Sequence, residues 1–236
     1  MGSDDDDDDG RGLAEVTFRD LTPENEPELR RLNAVIFPIR YSVRPDPRRS
    51  PPRALRRVPS PRGTPPPPPF AILPLADPAP PPSLPHPQDK FYAECGAAGR
   101  ATQLAYVDGA LAGAIAVRLE LLPDRSAGSG ARMYVMTVGV LAPHRGAGIG
   151  TRLLRHALNE GSADAYIVDA YLHVQTNNAE AIAFYERFGF ERDGVAEGYY
   201  KRLDPPDAAV LKLDLRRWKR EPLEGVKYED ERAGGG

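Results

Sequence analysis

Arg145, Gly148 and Gly150 stand in the spacing Arg-x-x-Gly-x-Gly within HRGAGIGTRLL, with a further glycine at Gly146 and a hydroxyl at Thr151. Glycines this dense let the main chain turn its N–H groups toward one point without a side chain in the way. If a helix starts here, its unpaired first-turn amides and its dipole aim at that same point. The chemistry open to such a group is anion binding, phosphate above all. Two nucleotide motifs are excluded. A P-loop needs GK[ST], and Gly150 is followed by Thr151 and Arg152. The dinucleotide fingerprint GxGxxG, begun at Gly146 and Gly148, needs glycine where Thr151 stands.

The flanking sequence supplies the elements that hold this turn. Before it, MYVMTVGVL is an apolar run rich in β-branched and aromatic residues, the pattern of a strand, and Pro143 stops it. After it, Ile149, Leu153, Leu154, Ala157 and Leu158 recur at helical spacing. Upstream, residues 14–21 alternate as a first strand, and Thr22, Pro23 and Glu24 read as N-cap and first turn of a helix with a buried stripe of Leu29, Leu32, Val35 and Ile36. Phe37 precedes a proline, so the helix ends there. Residues 103–107, the Asp108-Gly109 pair and residues 110–121 predict a β-hairpin. Residues 166–174 predict a strand, Thr176 or Asn177 caps the next helix, and Gly189 ends it. Residues 190–196 and 208–215 give two last strands joined by a loop holding Tyr199 and Tyr200. The expected fold is α/β, a mixed central sheet flanked by helices on both faces.

Composition divides the chain. Residues 4–9 are six consecutive aspartates, so residues 1–12 read as a disordered acidic tail. Of 26 prolines, 18 lie in residues 43–88, which also carry seven arginines. Such a block favours polyproline II geometry and cannot join a packed core. Residues 216–236 are charged, end in three glycines and read as a second tail. One domain therefore spans residues 13–215, interrupted by 43–88. The net charge of −3 provides no basic field for nucleic acid. A single cysteine, Cys95, suits a reducing compartment, and no stretch is long and apolar enough for a membrane span. A soluble intracellular protein is expected, cytoplasmic and also nuclear, with no metal site.

LNAVIFPIRYS (32–42), DKFY (89–92), LAYVDGALAGAIAVR (104–118), MYVMTVGVLAPHRGAGIGTRLL (133–154), YLHVQTNNAEAIAFYERFGFE (171–191) and GYYKRLDPPDAAVLKLDL (198–215) together resemble the GNAT superfamily, within it the N-terminal acetyltransferases of NatE type. Two departures stand out: the 43–88 block, and Gly146 where the resemblance leads one to expect a second basic residue. Excising the block joins Tyr41-Ser42 to Asp89-Lys90-Phe91-Tyr92, the continuous sequence the resemblance implies. The block thus reads as a retained intron, in frame, with a Pro/Arg-rich docking arm as the rival reading.

The resemblance implies transfer of acetyl from acetyl-CoA, the co-substrate, to the α-amine of protein N-termini beginning with Met and a hydrophobic residue, and raises lysine side chains as further substrates. Val138, Arg145, Gly146, Gly148, Ile149, Gly150 and Thr151 are then cofactor-binding, and Asn178 bonds the pantetheine arm. Tyr134 and His173 are the paired general bases, and Tyr185 stands by the sulfur as acid. Phe37, Pro38, Ile39, Tyr41, Tyr199 and Tyr200 form the peptide site. Implied partners are protein N-termini, the NatA complex and the ribosome. Two other readings follow: a non-catalytic subunit docking on NatA and the ribosome, and an acetyltransferase for a small-molecule amine.

Overall fold

The computed structural model describes residues 15–37, 87–122 and 130–229. In chain order its elements are β1 (Val16–Asp20), α1 (Glu26–Ile36), α2 (Pro87–Ala97), β2 (Gln103–Val107), β3 (Ala110–Leu121), β4 (Ala131–Val140), α3 (Ile149–Ala163), β5 (Ile167–Gln175), α4 (Ala179–Glu186), β6 (Glu191–Ala196), β7 (Ala208–Asp214) and β8 (Val226–Glu229). The eight strands form one sheet in the order β6-β7-β5-β4-β3-β2-β1-β8. It is mixed: β4 with β5 and β1 with β8 are parallel, and every other pair is antiparallel. The α/β fold with helices on both faces is the one the sequence predicts.

Each face is covered by apolar stripes of the predicted period. Ile149, Leu153, Leu154, Ala157 and Leu158 of α3 are buried with Ile115, Val117, Met133 and Leu172, and Ile182 of α4 joins the same layer. On the opposite face Leu29 and Leu32 of α1 and Tyr92 of α2 bury Leu104, Tyr106 and Ala114. Alternation sends neighbouring residues of β2 and β3 to different layers, and the extra residue Ala112, opposite Ala105 and Tyr106, exchanges the layers once along β3. Arg30 ties the two helices of that face, bonding Asp89 at 3.0 Å and lying 3.9 Å over the Tyr92 ring.

One irregularity matters for function. Ala116 pairs with Thr137 but the next residue, Val117, pairs with Val135, so Met136 is an extra residue, a β-bulge in β4. The bulge reverses which residues face α3: Met133 and Val135 before it, Val138 and Val140 after it. Tyr134, just before the bulge, faces the α1 and α2 side.

Several local expectations are corrected. Residues 216–236 are not wholly a tail, because β8 adds parallel to β1 and Trp218 packs on Phe188. Helix α1 starts at Glu26, because Thr22 and Asn25 bond each other's main-chain amides and close a separate turn first. Val35, placed in the buried stripe, is 68 % exposed. The cap of α4 is Asn178, whose side chain accepts from the Ala181 amide at 3.1 Å, rather than Thr176 or Asn177. Pro87 and Gln88, assigned to the proline-rich block, open α2. The 1–12 tail and residues 43–86 lie outside the described residues.

Candidate active site

Strands β4 and β5 pair only from Ala131↔Ile167 to Tyr134↔Tyr171. Beyond that point β4 continues to Val140 and β5 to Gln175, with no ladder between them. On their far sides β4 remains paired to β3 and β5 to β7. The sheet therefore splits in its middle into a V-shaped cleft, along which β4 and β5 no longer bond each other. A strand edge without a neighbouring strand is where an extended chain of amides can add.

The glycine turn lies at the open end of β4. The chain leaves Val140, makes a short turn through Ala142–His144 and enters α3 at Gly148, whose φ of 71° is left-handed and suits glycine. A side chain added at Gly146 or Gly148 would meet nothing within 4 Å, so the backbone here is open to a ligand. Among the described residues the amides of Gly148, Ile149, Gly150 and Thr151 meet no protein acceptor. They are the amides a helix N-terminus leaves free, and 15 residues of α3 lie behind them. Ile149 is 1 % exposed and anchors the turn, whereas Thr151 is partly exposed. Arg145 is exposed, and its Nε donates to the Val140 carbonyl at 3.1 Å. These residues fit an anion, and the missing side chain at Gly146 leaves the main-chain donors in place.

At the vertex of the split, Tyr134 and His173 come together on the face away from α3. Their ring centroids lie 5.6 Å apart. The Tyr134 hydroxyl shares a 2.8 Å hydrogen bond with that of Tyr199, and Tyr199 stacks flat on His173. Tyr200 donates its hydroxyl to the His173 carbonyl at 3.3 Å, so both loop tyrosines cover the end of β5. Burial, reinforced by the neighbouring Tyr199, pushes the Tyr134 phenol well above its ordinary pKa. Burial likewise raises Tyr199. Tyr134 therefore stays a neutral hydroxyl at physiological pH, fit to orient or relay a proton rather than to act as phenolate.

Three residues that sequence reasoning passed over complete this cluster. Tyr171 lies beside Tyr134 at 4.8 Å between ring centroids. Arg118, the cross-strand partner of Tyr134, places its guanidinium 4.7 Å from the Tyr134 ring centroid. Glu120 holds both, accepting from the Tyr171 hydroxyl at 2.6 Å and pairing with Arg118 at 2.6 Å. The available signal was alternation: residues 118 and 120 share a strand face, as do 171 and 173.

Tyr185 lies on α4 between the rings of Phe184 and Phe190, and burial pushes its phenol up to about 12. Asn178 stands one helix length before it, at the exposed N-terminus of α4. Val138 lines the cleft from β4 and packs partly against the core. Phe37 ends α1 beside Gly139, where a Cβ would lie 2.8 Å from Ile36 Cδ1 and 3.4 Å from the Phe37 ring. The α1 terminus thus rests directly on the β4 backbone. Pro38, Ile39 and Tyr41 lie outside the described residues.

Comparison with known proteins agrees with this geometry. Residues 71–190 match the model of the Acetyltransferase (GNAT) family. The chain is 34% identical to N-alpha-acetyltransferase 50 of Danio rerio over 85% of this chain and 89% of the relative. It is 32% identical to the probable N-acetyltransferase san of Drosophila melanogaster over 86% of this chain and 82% of the relative. Among solved structures it resembles Arabidopsis thaliana Naa50 in complex with the bisubstrate analogue CoA-Ac-MVNAL, at TM-score 0.59 and 34% identity, over 85% of this chain and 99% of that one. On the family match and these relatives, this chain belongs to the acetyltransferase (GNAT) family and is an acyltransferase.

Proposed function

We propose that the chain transfers acetyl from acetyl-CoA to the α-amine of protein N-termini that begin with Met and a hydrophobic residue. The observation that carries this reading is the convergence of Tyr134, His173 and the two loop tyrosines at the vertex of a cleft whose far end is an anion site. The pyrophosphate of acetyl-CoA rests on the Gly148–Thr151 amides, with Arg145 at its edge. The pantetheine arm lies along the unpaired edge of β4 past Val138. Asn178 uses its Oδ1 as a cap, which leaves its Nδ2 to donate to that arm.

An α-amine has an ordinary pKa of about 7.7–8.0, so a tenth or more is neutral near pH 7. The neutral nitrogen attacks the thioester carbon and a tetrahedral oxyanion forms. The C–S bond then breaks, Tyr185 gives its proton to the departing thiolate, and the new amide's excess proton passes to His173, directly or through water. Tyr134, kept neutral, orients that water by hydrogen bonding. Phe37, Pro38, Ile39 and Tyr41 supply an apolar seat for the first side chain, and Tyr199 and Tyr200 offer hydroxyls to the peptide backbone. The M-V start of the peptide carried by the Arabidopsis relative's analogue supports this substrate class.

The test is incubation with acetyl-CoA and a Met-Leu-starting peptide, read by mass spectrometry. A gain of one acetyl group on the α-amine is expected. No acetylated product from protein with a folded circular dichroism spectrum overturns the reading.

A further inference from the structure

Four side chains of α3, Arg152, Arg155, His156 and Asn159, recur at helical spacing and form one polar stripe. All four engage the segment 218–229. Arg152 donates through Nη1 to the Gly225 carbonyl at 3.3 Å. Arg155 pairs with Glu221 at 3.1 Å. His156 Nδ1 lies 3.0 Å from the Tyr228 hydroxyl. Asn159 donates to the Glu221 carbonyl at 2.8 Å and accepts from the Trp218 indole at 2.9 Å. The Gly225 carbonyl also takes the Val16 amide at 3.0 Å, just where β8 starts beside β1. The segment is therefore bolted along the helix whose first turn forms the anion site.

Arg152 connects the two. It is 6 % exposed, although it occupies the fourth position of α3, where a cation opposes the helix dipole. Its other terminal nitrogen donates to the Ala147 carbonyl at 2.7 Å, inside the glycine turn itself. One planar guanidinium with two fixed donors thus spans the turn and the segment's Gly225. The Ala147 carbonyl is thereby held from α3, one residue before Gly148, where the first-turn amides begin.

We infer that residues 218–229 are a strap that fixes the anion-binding turn through Arg152, so that affinity for the CoA pyrophosphate depends on the C-terminal segment while turnover does not. Arg152 is a positioning residue, since it reaches the ligand only through the main chain of residue 147. This inference rests on the reading of the glycine turn as the pyrophosphate seat.

The test compares the full chain, Arg152→Met, a chain ending at Arg217, and the two changes combined, using calorimetric binding of CoA and kcat at saturating acetyl-CoA. Loss of one buried charge-assisted bond predicts binding weaker by about tenfold in each single variant. The combined variant is expected to bind no worse than the poorer single one, because both remove the same link. The kcat of each stays within about twofold. If the shortened chain does not fold, Arg155→Ala with Asn159→Ala in the full chain loosens the strap and leaves β8 in place, and weaker CoA binding is again expected. Unchanged CoA affinity, additive losses, or a fall in kcat at unchanged affinity overturns the strap. A wild-type chain that binds no CoA overturns the reading of the turn and the strap with it.

Discussion

The imidazole of His173 and the ring of Tyr199 lie face to face, 4.2 Å apart between centroids and within 5° of parallel. The tyrosine that fixes the plane of the imidazole also bonds the hydroxyl of Tyr134 at 2.8 Å. Tyr199 thus joins the two candidate proton-handling groups although it comes from a loop far along the chain.

Removing only that hydroxyl separates the two roles. Tyr199→Phe keeps the stack and loses the bond to Tyr134, so a fall in kcat of a few-fold is expected. Tyr199→Ala loses both, and a fall on the order of 10²-fold is expected, the scale on which misplaced catalytic groups act. Steady-state kinetics on a Met-Leu peptide checks the order of the two variants. Equal losses would leave the stack without a role.

Tyr134→Phe and His173→Ala are each expected to lower kcat on the order of 10²-fold or more, the range of general acid–base effects. The anion site stands apart from both residues, so the KM for acetyl-CoA should not move. Wild-type turnover in either variant removes that residue from the proton path.

The Tyr185 phenol, raised by burial to about 12, keeps its proton at every lower pH. As the acid for the leaving thiolate it remains competent well into the alkaline range. The pH profile of kcat should therefore rise as the α-amine loses its proton, and then stay level to about pH 10. Tyr185→Phe should lower the plateau by about 10²-fold. A descending limb centred near pH 9 would assign the acid to another group.

His156 predicts an acid sensitivity of stability. A carbonyl can only accept, so Nε2, 2.7 Å from the Arg100 carbonyl, carries the hydrogen and Nδ1 accepts from Tyr228. Burial lowers its pKa below 6.5, against the opposing pull of the Arg100 carbonyl. The unfolded chain then binds the proton more readily than the folded one, so this contribution is intact above about pH 6.5 and is lost as the pH falls below it. The melting temperature should drop from pH 7.5 to pH 5.5, and His156→Gln should flatten that drop. An equally steep drop in the variant would place the sensitivity elsewhere.

A chain in which Ser42 is joined to Asp89 tests whether residues 43–88 belong to the working protein. The join removes Pro87 and Gln88 from the start of α2 and shortens the connection from about fifty residues to about six, which lowers the closure entropy cost by roughly 2 kcal/mol. The shortened chain is therefore expected to melt no lower and to keep its acetylation rate. Loss of activity with an intact melting transition would instead give the block a role.

The parts of the fold legible in the sequence are those whose cause is local. The hairpin β2–β3 turns where Asp108 and Gly109, both at positive φ, predict it. The strand, turn and helix around Gly148 follow from apolar period and glycine spacing. The strap was illegible because its strand, Val226–Glu229, is four residues long, too short for the alternation of Val226 and Tyr228 with Lys227 and Glu229 to stand out, and its pairing partner β1 lies some 210 residues earlier in the chain. Val35 was misplaced because helical period identifies a stripe but not its width. Of the candidate site, Tyr134 and His173 were legible through a resemblance, whereas Tyr171, Arg118 and Glu120 needed the register of β3, β4 and β5.

The absence of a side chain at Gly139 has a wider reach than local packing. Ile36 and Phe37 bear on this position from one side, and one residue later the Val140 carbonyl holds Arg145 at the margin of the glycine turn. The end of α1 and the glycine turn are thus both measured from one short piece of strand. β4 acts as a common datum, so the distance between the two is set by covalent geometry rather than by the mutual approach of independent loops. Selectivity in such an arrangement changes by replacing what stands above the strand, while the spacing of donor and acceptor is inherited intact.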